Sequence, residues 1–366
     1  MDHKLMMAGE ARSGLVPMVP SPMVSSAESM TRSTDVRVAV VVPCYRVKDH
    51  VLDVIATVPS NICRIYIIDD ACPEHTGAWV TSQCHDPRVA VHVNTTNLGV
   101  GGAVIAGYRL ALAEQMDIVV KMDGDGQMDA LALPQLIGPL LRGEADYTKG
   151  NRFYDLDQIR RMPRTRIIGN AALSFMTKIS SGYWDIFDPT NGYTAVHTKV
   201  LGKMPMTKIS RRFFFETDML FRLNIVRAVV VDVPMDAKYG AETSNLKISS
   251  VLFDFSFKHL RNTFKRLFYN YFLRDLSLAS IELVAGLGFL IAGVGMGLGF
   301  WANSHLTGTL TSAGSVTLVA LLVIVGIQLI LGFLAYDIAT VPRRPLHRLL
   351  PAKETNTVDA TCEHGS

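Results

Sequence analysis

Two stretches near the C-terminus restrict the fold more than any other feature. Residues 276–302, LSLASIELVAGLGFLIAGVGMGLGFWA, carry one charge, Glu282, and residues 315–336, SVTLVALLVIVGIQLILGFLAY, carry none. Each exceeds the ~20 apolar residues needed to span a bilayer. A transmembrane helical hairpin over about 276–340 is therefore expected. The link 303–314 has no Lys or Arg, whereas Lys258, Arg261, Lys265, Arg266 and Arg274 precede the hairpin and Arg343, Arg344 and Arg348 follow it. The positive-inside rule puts the link outside and both termini in the cytoplasm, as in a multi-pass protein of the cytoplasmic (inner) membrane. Gly293, Gly295, Gly297 and Gly299 form overlapping GxxxG spacings that allow close helix contact. That contact fits either the hairpin itself or a homo-oligomer joined through these helices.

The segment before the hairpin, 251–275, has a different pattern. Phe253, Phe257, Leu260, Phe264, Phe268 and Tyr271 recur every three or four residues, and Lys258, Arg261 and Lys265 fall on the other side. This is the apolar stripe of an amphipathic helix. Its basic face and its position next to a membrane span predict a helix lying in the membrane interface. Residues 341–366 read as a basic cytoplasmic tail. The first 35 residues lack periodicity and a continuous apolar core, so they are expected to be a disordered tail rather than a signal peptide.

The intervening part, 36–250, alternates strand and helix patterns. VRVAVVVPCY (36–45), RIYIIDDA (64–71), VAVHVNT (89–95) and DIVVKMD (117–123) are apolar, β-branched runs separated by helical stretches. Such runs predict an α/β domain with a mainly parallel sheet covered on both faces. Ligands bind such sheets beyond the carboxyl ends of the strands. Those ends carry Pro43 and Tyr45, Asp69 and Asp70, Asn97 and Gly99, and Asp123 and Asp125. The net charge of +3 gives no electrostatic reason to expect nucleic acid as a partner. Five cysteines, Cys44, Cys63, Cys72, Cys84 and Cys362, include no CxxC and no zinc spacing, and read as reduced thiols.

The densest polar cluster is VVKMDGDGQMD, residues 119–129. Asp-Gly pairs mark turns, but two in tandem beside Gln127 and Asp129 crowd carboxylates that repel unless a cation sits among them. Asp129 suits a cap for the helix ALPQLIGPLL. No GxGxxG follows the first strand and no GxxxxGKS/T occurs, which excludes the common dinucleotide and P-loop readings. NLGVGG after the third strand serves either close helix–strand packing or backbone approach to a ligand.

The series VVPCY, IIDDACPEHT, NLGVGGA and DGDGQ resembles family 2 glycosyltransferases of GT-A type. The C-terminal hairpin resembles their polyprenyl-phosphate branch, the relatives of dolichol-phosphate mannosyltransferase. The resemblance implies a Rossmann-like nucleotide-sugar-binding domain using Mg2+ or Mn2+. It places Pro43, Tyr45, Ile68, Asp70, Asp123, Gly124 and Asp125 at the donor nucleotide, and Asp123, Asp125 and Gln127 at the metal. Asp123, Asp125 and Arg152 are the expected catalytic set. Two loops depart from the family pattern. The first reads PCYRVKD, leaving Asp49 as its nearest acid. The late one runs from Lys238 to Lys247, with Lys238 where the family has Arg.

Hard divalent cations prefer oxygen ligands and would neutralise a departing nucleoside diphosphate. A hydroxyl acceptor needs a general base, for which Glu216 or Asp218 is available, although each equally suits an ordinary helix. A lipid phosphate is already ionised near neutral pH and needs cations instead: Arg152, Lys238 and Lys247, with Arg211 and Arg212 nearby. The turn DPTNGY, holding Asp188 and Asn191, adjoins these. The expected reaction is inverting transfer from a UDP- or GDP-sugar to a polyprenyl phosphate at the cytoplasmic face. The alternatives are transfer to a glycan or glycolipid hydroxyl and, in another class, a non-enzymatic membrane scaffold.

Overall fold

The computed structural model describes residues 36–154, 164–189, 191–235 and 248–351, with the side chains of 164–166 and 248–253 left out. The N-terminal tail, Lys238, Lys247 and the tail beyond residue 351 lie outside the described residues.

The apolar runs form strands where β-branched residues pack on both faces of a sheet. β1 (Val38–Cys44), β2 (Arg64–Asp69), β3 (Val89–Val93) and β4 (Ile118–Lys121) alternate with α1 (Lys48–Thr57), α2 (Thr76–Gln83) and α3 (Val100–Ala113). After α4 (Leu133–Leu141) come β5 (Tyr147–Asn151), α5 (Arg164–Ser181), β6 (Thr194–His197), the single turn α6 (Thr198–Leu201), α7 (Phe215–Ile225) and β7 (Val230–Pro234). The seven-stranded sheet has the order β3-β2-β1-β4-β6-β5-β7, with β6 antiparallel to β4 and β5 and the other pairings parallel. The order reverses between β1 and β4, and a crevice opens at such a switch point. Separate apolar clusters cover the two faces, one built around Val41, Tyr108 and Phe215, the other around Val42, Ile67 and Leu136. The sheet is mainly parallel and the fold is α/β, as its sequence pattern predicts.

Beyond the sheet lie α8 (Ile248–Phe268), a π-helical turn at Tyr269–Arg274, and the long helices α9 (Leu278–Thr307) and α10 (Ala313–Ala339). α9 and α10 are long and apolar enough to cross a membrane, and most of their surface is exposed. They run past the apolar stretches 276–302 and 315–336 because polar residues such as Asn303 and Asp337 continue each helix. Gly286, Gly293 and Gly297 face the opposite helix, and Gly326 lies against the Gly286–Leu290 backbone. Gly295 and Gly299 face open space. The glycine stripe is thus split, and one side of it brings the hairpin together.

α8 is inverted relative to a soluble helix. Phe257, Leu260, Phe264 and Phe268 are exposed, while His259, Asn262 and Arg266 are buried. The buried polar groups are matched across the domain: His259 Nδ1 lies 2.8 Å from Ser180 Oγ, and Asn262 Nδ2 donates to Asp218 Oδ1 at 3.1 Å. The expected stripe fails at one position. Tyr271 is buried, because the π turn shifts it off the Phe face, and its hydroxyl donates to Asp337 Oδ1 at 2.6 Å. Asp337, near the end of α10, also accepts from Arg266 Nη1 at 2.5 Å, Arg266 Nη2 at 3.0 Å and Trp184 Nε1 at 2.9 Å. This buried cluster fastens the hairpin to α8 and to the α/β domain.

Candidate active site

The carboxyl ends of β1, β2 and β4 meet the N-terminus of α3 around a cavity of about 520 Å³. Pro43, Cys44, Tyr45 and Val47 form the β1 side, Asp70 and Asn97 the β2 and β3 side, and Asp123, Gly124 and Asp125 the β4 side. Gly99, Val100 and Ala103 contribute the helix start, and Arg212 and Phe213 close the rim. Six of the seven residues expected at the donor nucleotide are therefore brought together. Ile68 is the correction: it is fully buried in the sheet, paired in register with Pro43, and does not line the cavity. It lies inside β2, both faces of which are covered, whereas Asp70 lies just beyond the strand end.

The two adjacent aspartates of β2 do different work. Asp69 caps α2, accepting from Gly77 N at 2.6 Å and from Cys72 N at 2.7 Å. Asp70, also buried, accepts from Asn94 Nδ2 at 2.8 Å, Leu98 N at 2.9 Å and Gly99 N at 2.7 Å. It thereby fixes the glycine turn. Gly99 has φ of +82°, a left-handed conformation that glycine adopts without strain. A Cβ at Gly101 would strike the Ser210 carbonyl and Phe215. The glycines thus serve packing against the 210–215 segment, while Gly99 also faces the cavity.

Asp123 and Asp125 both line the cavity, but Gln127 is exposed and outside its wall. Gly126, at φ +76°, turns the chain between them, and Asp125 Oδ1 accepts from Gln127 N at 3.0 Å. Asp129 accepts from Leu131 N at 3.1 Å and caps the turn leading into α4. Among the described residues, no group of three or more His, Cys, Asp or Glu side chains is gathered as a metal cage. Two carboxylates in an open cavity do suit a magnesium-like ion, which completes its shell with water and substrate phosphate.

A row of polar side chains crosses the sheet behind this site. Lys121, Thr194, Lys149 and Asp232 are register partners on β4, β6, β5 and β7. Both lysines are sealed from solvent. Lys121 Nζ lies 2.7 Å from Asp123 Oδ1, 3.4 Å from Glu216 Oε1 and 3.1 Å from the Gly192 carbonyl. Burial opposes its charge, but Asp123 and Glu216 outweigh that and hold its pKa above the usual lysine value. Lys149 Nζ donates to the Asn191 carbonyl at 2.5 Å, and burial pulls its pKa down to about 8. Burial pushes Asp232 up to about 6.

Arg152 is not in the cavity wall. Its Nε and Nη2 grip Asp188 at 2.8 and 3.1 Å. Burial raises the Asp188 pKa, but the Arg152 pair and Lys149 overcome it and leave a net downward shift. Glu216 and Asp218 separate cleanly. Asp218 is buried and accepts from Ser210 N at 2.9 Å, Arg222 Nε at 3.0 Å and Asn262 Nδ2 at 3.1 Å, so it is a structural acid. Glu216 stands beside Lys121 and Asp123. Sequence reasoning missed Lys121 and Phe213. The signal for Lys121 was a lysine inside an apolar strand, which is costly unless paired.

The glycosyl transferase family 2 profile matches residues 39–204. Undecaprenyl-phosphate mannosyltransferase of Micrococcus luteus is 34% identical over 47% of this chain and 70% of its own length. Polyprenol monophosphomannose synthase of Mycolicibacterium smegmatis is 28% identical over 54% of this chain and 76% of its own. UDP-N-acetylglucosamine–dolichyl-phosphate N-acetylglucosaminyltransferase of Methanococcus voltae is 24% identical over 60% of this chain and 93% of its own. The profile takes in nearly all of β1 through β6, and with them every cavity-lining residue except Arg212 and Phe213, so the chain belongs to glycosyltransferase family 2.

Proposed function

We propose that this glycosyltransferase moves a sugar, mannose being the first candidate, from a nucleoside diphosphate to a polyprenyl phosphate at the cytoplasmic face of a membrane, with inversion and with Mg2+ or Mn2+. The observation that carries the reading is the pairing of Asp123 with Asp125 in a cavity whose domain is fastened to an exposed apolar hairpin. The three named relatives, all carrying a polyprenyl lipid in their names, support the acceptor class. Asp123 and Asp125 are the side chains that would hold the ion, which when bound supplies charge neutralisation for the departing diphosphate.

The chain's own contribution is positional and electrostatic. Tyr45 offers an exposed ring at the mouth of the cavity, and Gly99 opens the start of α3, whose positive dipole end suits phosphate oxygens. Arg212, packed beside Gly99, brings a permanent cation to the same space. A phosphate acceptor arrives ionised and needs no base to take a proton from it, so Glu216 can remain paired with Lys121. The second reading, a hydroxyl acceptor, rests on that same Glu216, an acid that shares the Lys121 ammonium with Asp123 of the cavity wall.

The test is purified full-length protein incubated with UDP- and GDP-sugars, with and without undecaprenyl or dolichyl phosphate. Transfer to lipid phosphate that stops in excess chelator and in Asp125→Ala is the expected result. Undiminished transfer in chelator would sink the metal. Glu216→Gln should keep most of the rate with lipid phosphate, whereas loss of a general base costs about 10²–10⁴-fold and would favour the hydroxyl acceptor.

A further inference from the structure

We infer that Lys121 is a positioning residue, a built-in counter-ion that holds Asp123 in place and competes with the metal for the acidic face of the cavity. The inference rests on the metal reading above. Its basis is an arrangement that the metal reading alone does not require. The Lys121 ammonium is sealed beneath the site and faces Asp123, Glu216 and the Gly192 carbonyl from three sides. Asp123 itself is partly exposed to the cavity, so the same carboxylate faces a fixed cation inward and the ligand space outward.

The surroundings are shaped for this contact. Gly192 packs so closely that an added Cβ would overlap Lys121 Nζ and crowd Asp123 Oδ2 at 2.8 Å. Lys149, two strands away, holds the adjoining Asn191 carbonyl, so two sealed ammonium groups pin consecutive peptide carbonyls of one turn. The Lys121 stem is held in register between Val41 and Thr194. A flexible side chain is thereby confined to one geometry, and with it the inner oxygen of Asp123.

Charge gives the inference its content. Asp123 and Asp125 face the cavity and Glu216 lies across Lys121 from Asp123; the three would carry three negative charges, and Lys121 cancels one. An ion alone therefore meets a partly neutralised site. Entry of the ion together with a nucleoside diphosphate restores the balance, because the diphosphate supplies further oxygen ligands. Lys121 thus favours uptake of metal and donor as a pair. Glu216 takes part by sharing the ammonium, which loosens its hold on Asp123.

Two variants should move metal affinity in opposite directions. In full-length protein in detergent, free Mn2+ is titrated by electron paramagnetic resonance, alone and with UDP or GDP. Lys121→Met should tighten binding of Mn2+ alone by at least about tenfold, shrink the gain that the nucleotide brings, and lower kcat more than it changes KM for the donor. Glu216→Gln should weaken binding of Mn2+ alone by about threefold or more, because the freed ammonium then serves Asp123 only. A merely structural lysine would lower thermal stability and move neither affinity. If Lys121→Met does not fold, the Glu216→Gln arm still decides: affinity unchanged or tightened overturns the inference. Wild-type protein that binds no Mn2+ even with nucleotide would overturn the metal reading, and this inference with it. Normal wild-type binding with both variants unchanged would overturn only the role of Lys121.

Discussion

Replacing Asp337 by Ala should uncouple the membrane hairpin from the catalytic domain, and the size of the effect follows from the cluster around it. Asp337 accepts four hydrogen bonds from three residues in two separate parts of the chain, Trp184 on one side and Arg266 and Tyr271 of α8 and its π turn on the other. Arg266 and Asp337 are each at most 3% exposed. Arg266 would keep only the Ile179 carbonyl, to which Nε and Nη2 donate at 3.1 and 2.8 Å. Removing one partner of such a pair strands a buried charge and costs about 3–5 kcal/mol. At about 2–4 °C per kcal/mol for a protein of this size, the melting temperature should fall by about 6–20 °C. Thermal unfolding of full-length protein in neutral detergent, followed by tryptophan fluorescence, measures it. The double variant Arg266→Met with Asp337→Leu removes both charges and should recover most of the loss. A single variant melting within about 2 °C of wild type, a shift worth at most about 1 kcal/mol, or a double variant no better than the single, would refute the reasoning.

Other consequences are as direct. His197 is pushed down to about 4 by burial and by the stacked His347. The depressed value means that stability is complete above its unfolded value near 6.5 and is lost as pH falls toward 4, by at most about 3 kcal/mol; His197→Phe should flatten that part of an acid-unfolding curve. With native cysteines replaced, Leu310→Cys in the link between α9 and α10 should react with an impermeant thiol reagent from outside the cell and Leu349→Cys should not, and reversed labelling would overturn the cytoplasmic orientation. Changing Phe257, Leu260 and Phe264 together to Ser, on the exposed face of α8, should leave thermal stability in detergent nearly unchanged and reduce transfer to lipid phosphate in vesicles.

β1 to β4 were legible because they carry apolar, β-branched runs, whereas β5, β6 and β7, which hold Lys149, Thr194 and Asp232, have no such run and were not read. Periodicity also marked α8 and the hairpin. Three single residues escaped it as well. Ile68 was counted with the donor residues although it lies inside β2, both faces of which are buried, so alternation could not separate it from Asp70, two positions on and beyond the strand end. Tyr271 fits the apolar stripe by spacing, but the π turn at Tyr269–Arg274 changes the period just there. Asp337 lies one residue beyond the apolar stretch that ends at Tyr336, so it read as a boundary residue rather than as the centre of a buried cluster. Its partners Trp184 and Arg266 are far away in sequence, and only the fold brings them together. In the cavity, the residues at the ends of β1, β2 and β4 were found because the topology of a parallel sheet gathers strand ends. Arg212 and Phe213 precede α7, and nothing local to them points toward β4.

α7 and the turn before it make one physical connection between the chemistry and the lipid. Arg212 and Phe213 line the cavity, and Glu216 approaches Lys121. Phe214, buried between them, meets Phe255 and His259 of α8 edge-on at 5.3 and 5.1 Å. Asp218, one turn further on, binds Asn262 of the same helix. Consecutive residues therefore alternate between the cavity and α8, and α8 presents its Phe face outward. A helix that merely covered the sheet would bury its apolar side and expose His259, Asn262 and Arg266. The reversed arrangement places the polar contacts where they fix α8 against α5 and α7, and leaves the apolar side for hydrocarbon or headgroup surroundings. The cavity and the exposed Phe face of α8 are consequently held at one spacing by short, buried, directional contacts. A lipid-borne acceptor needs that constancy, since its phosphate cannot travel far from the bilayer to reach the donor.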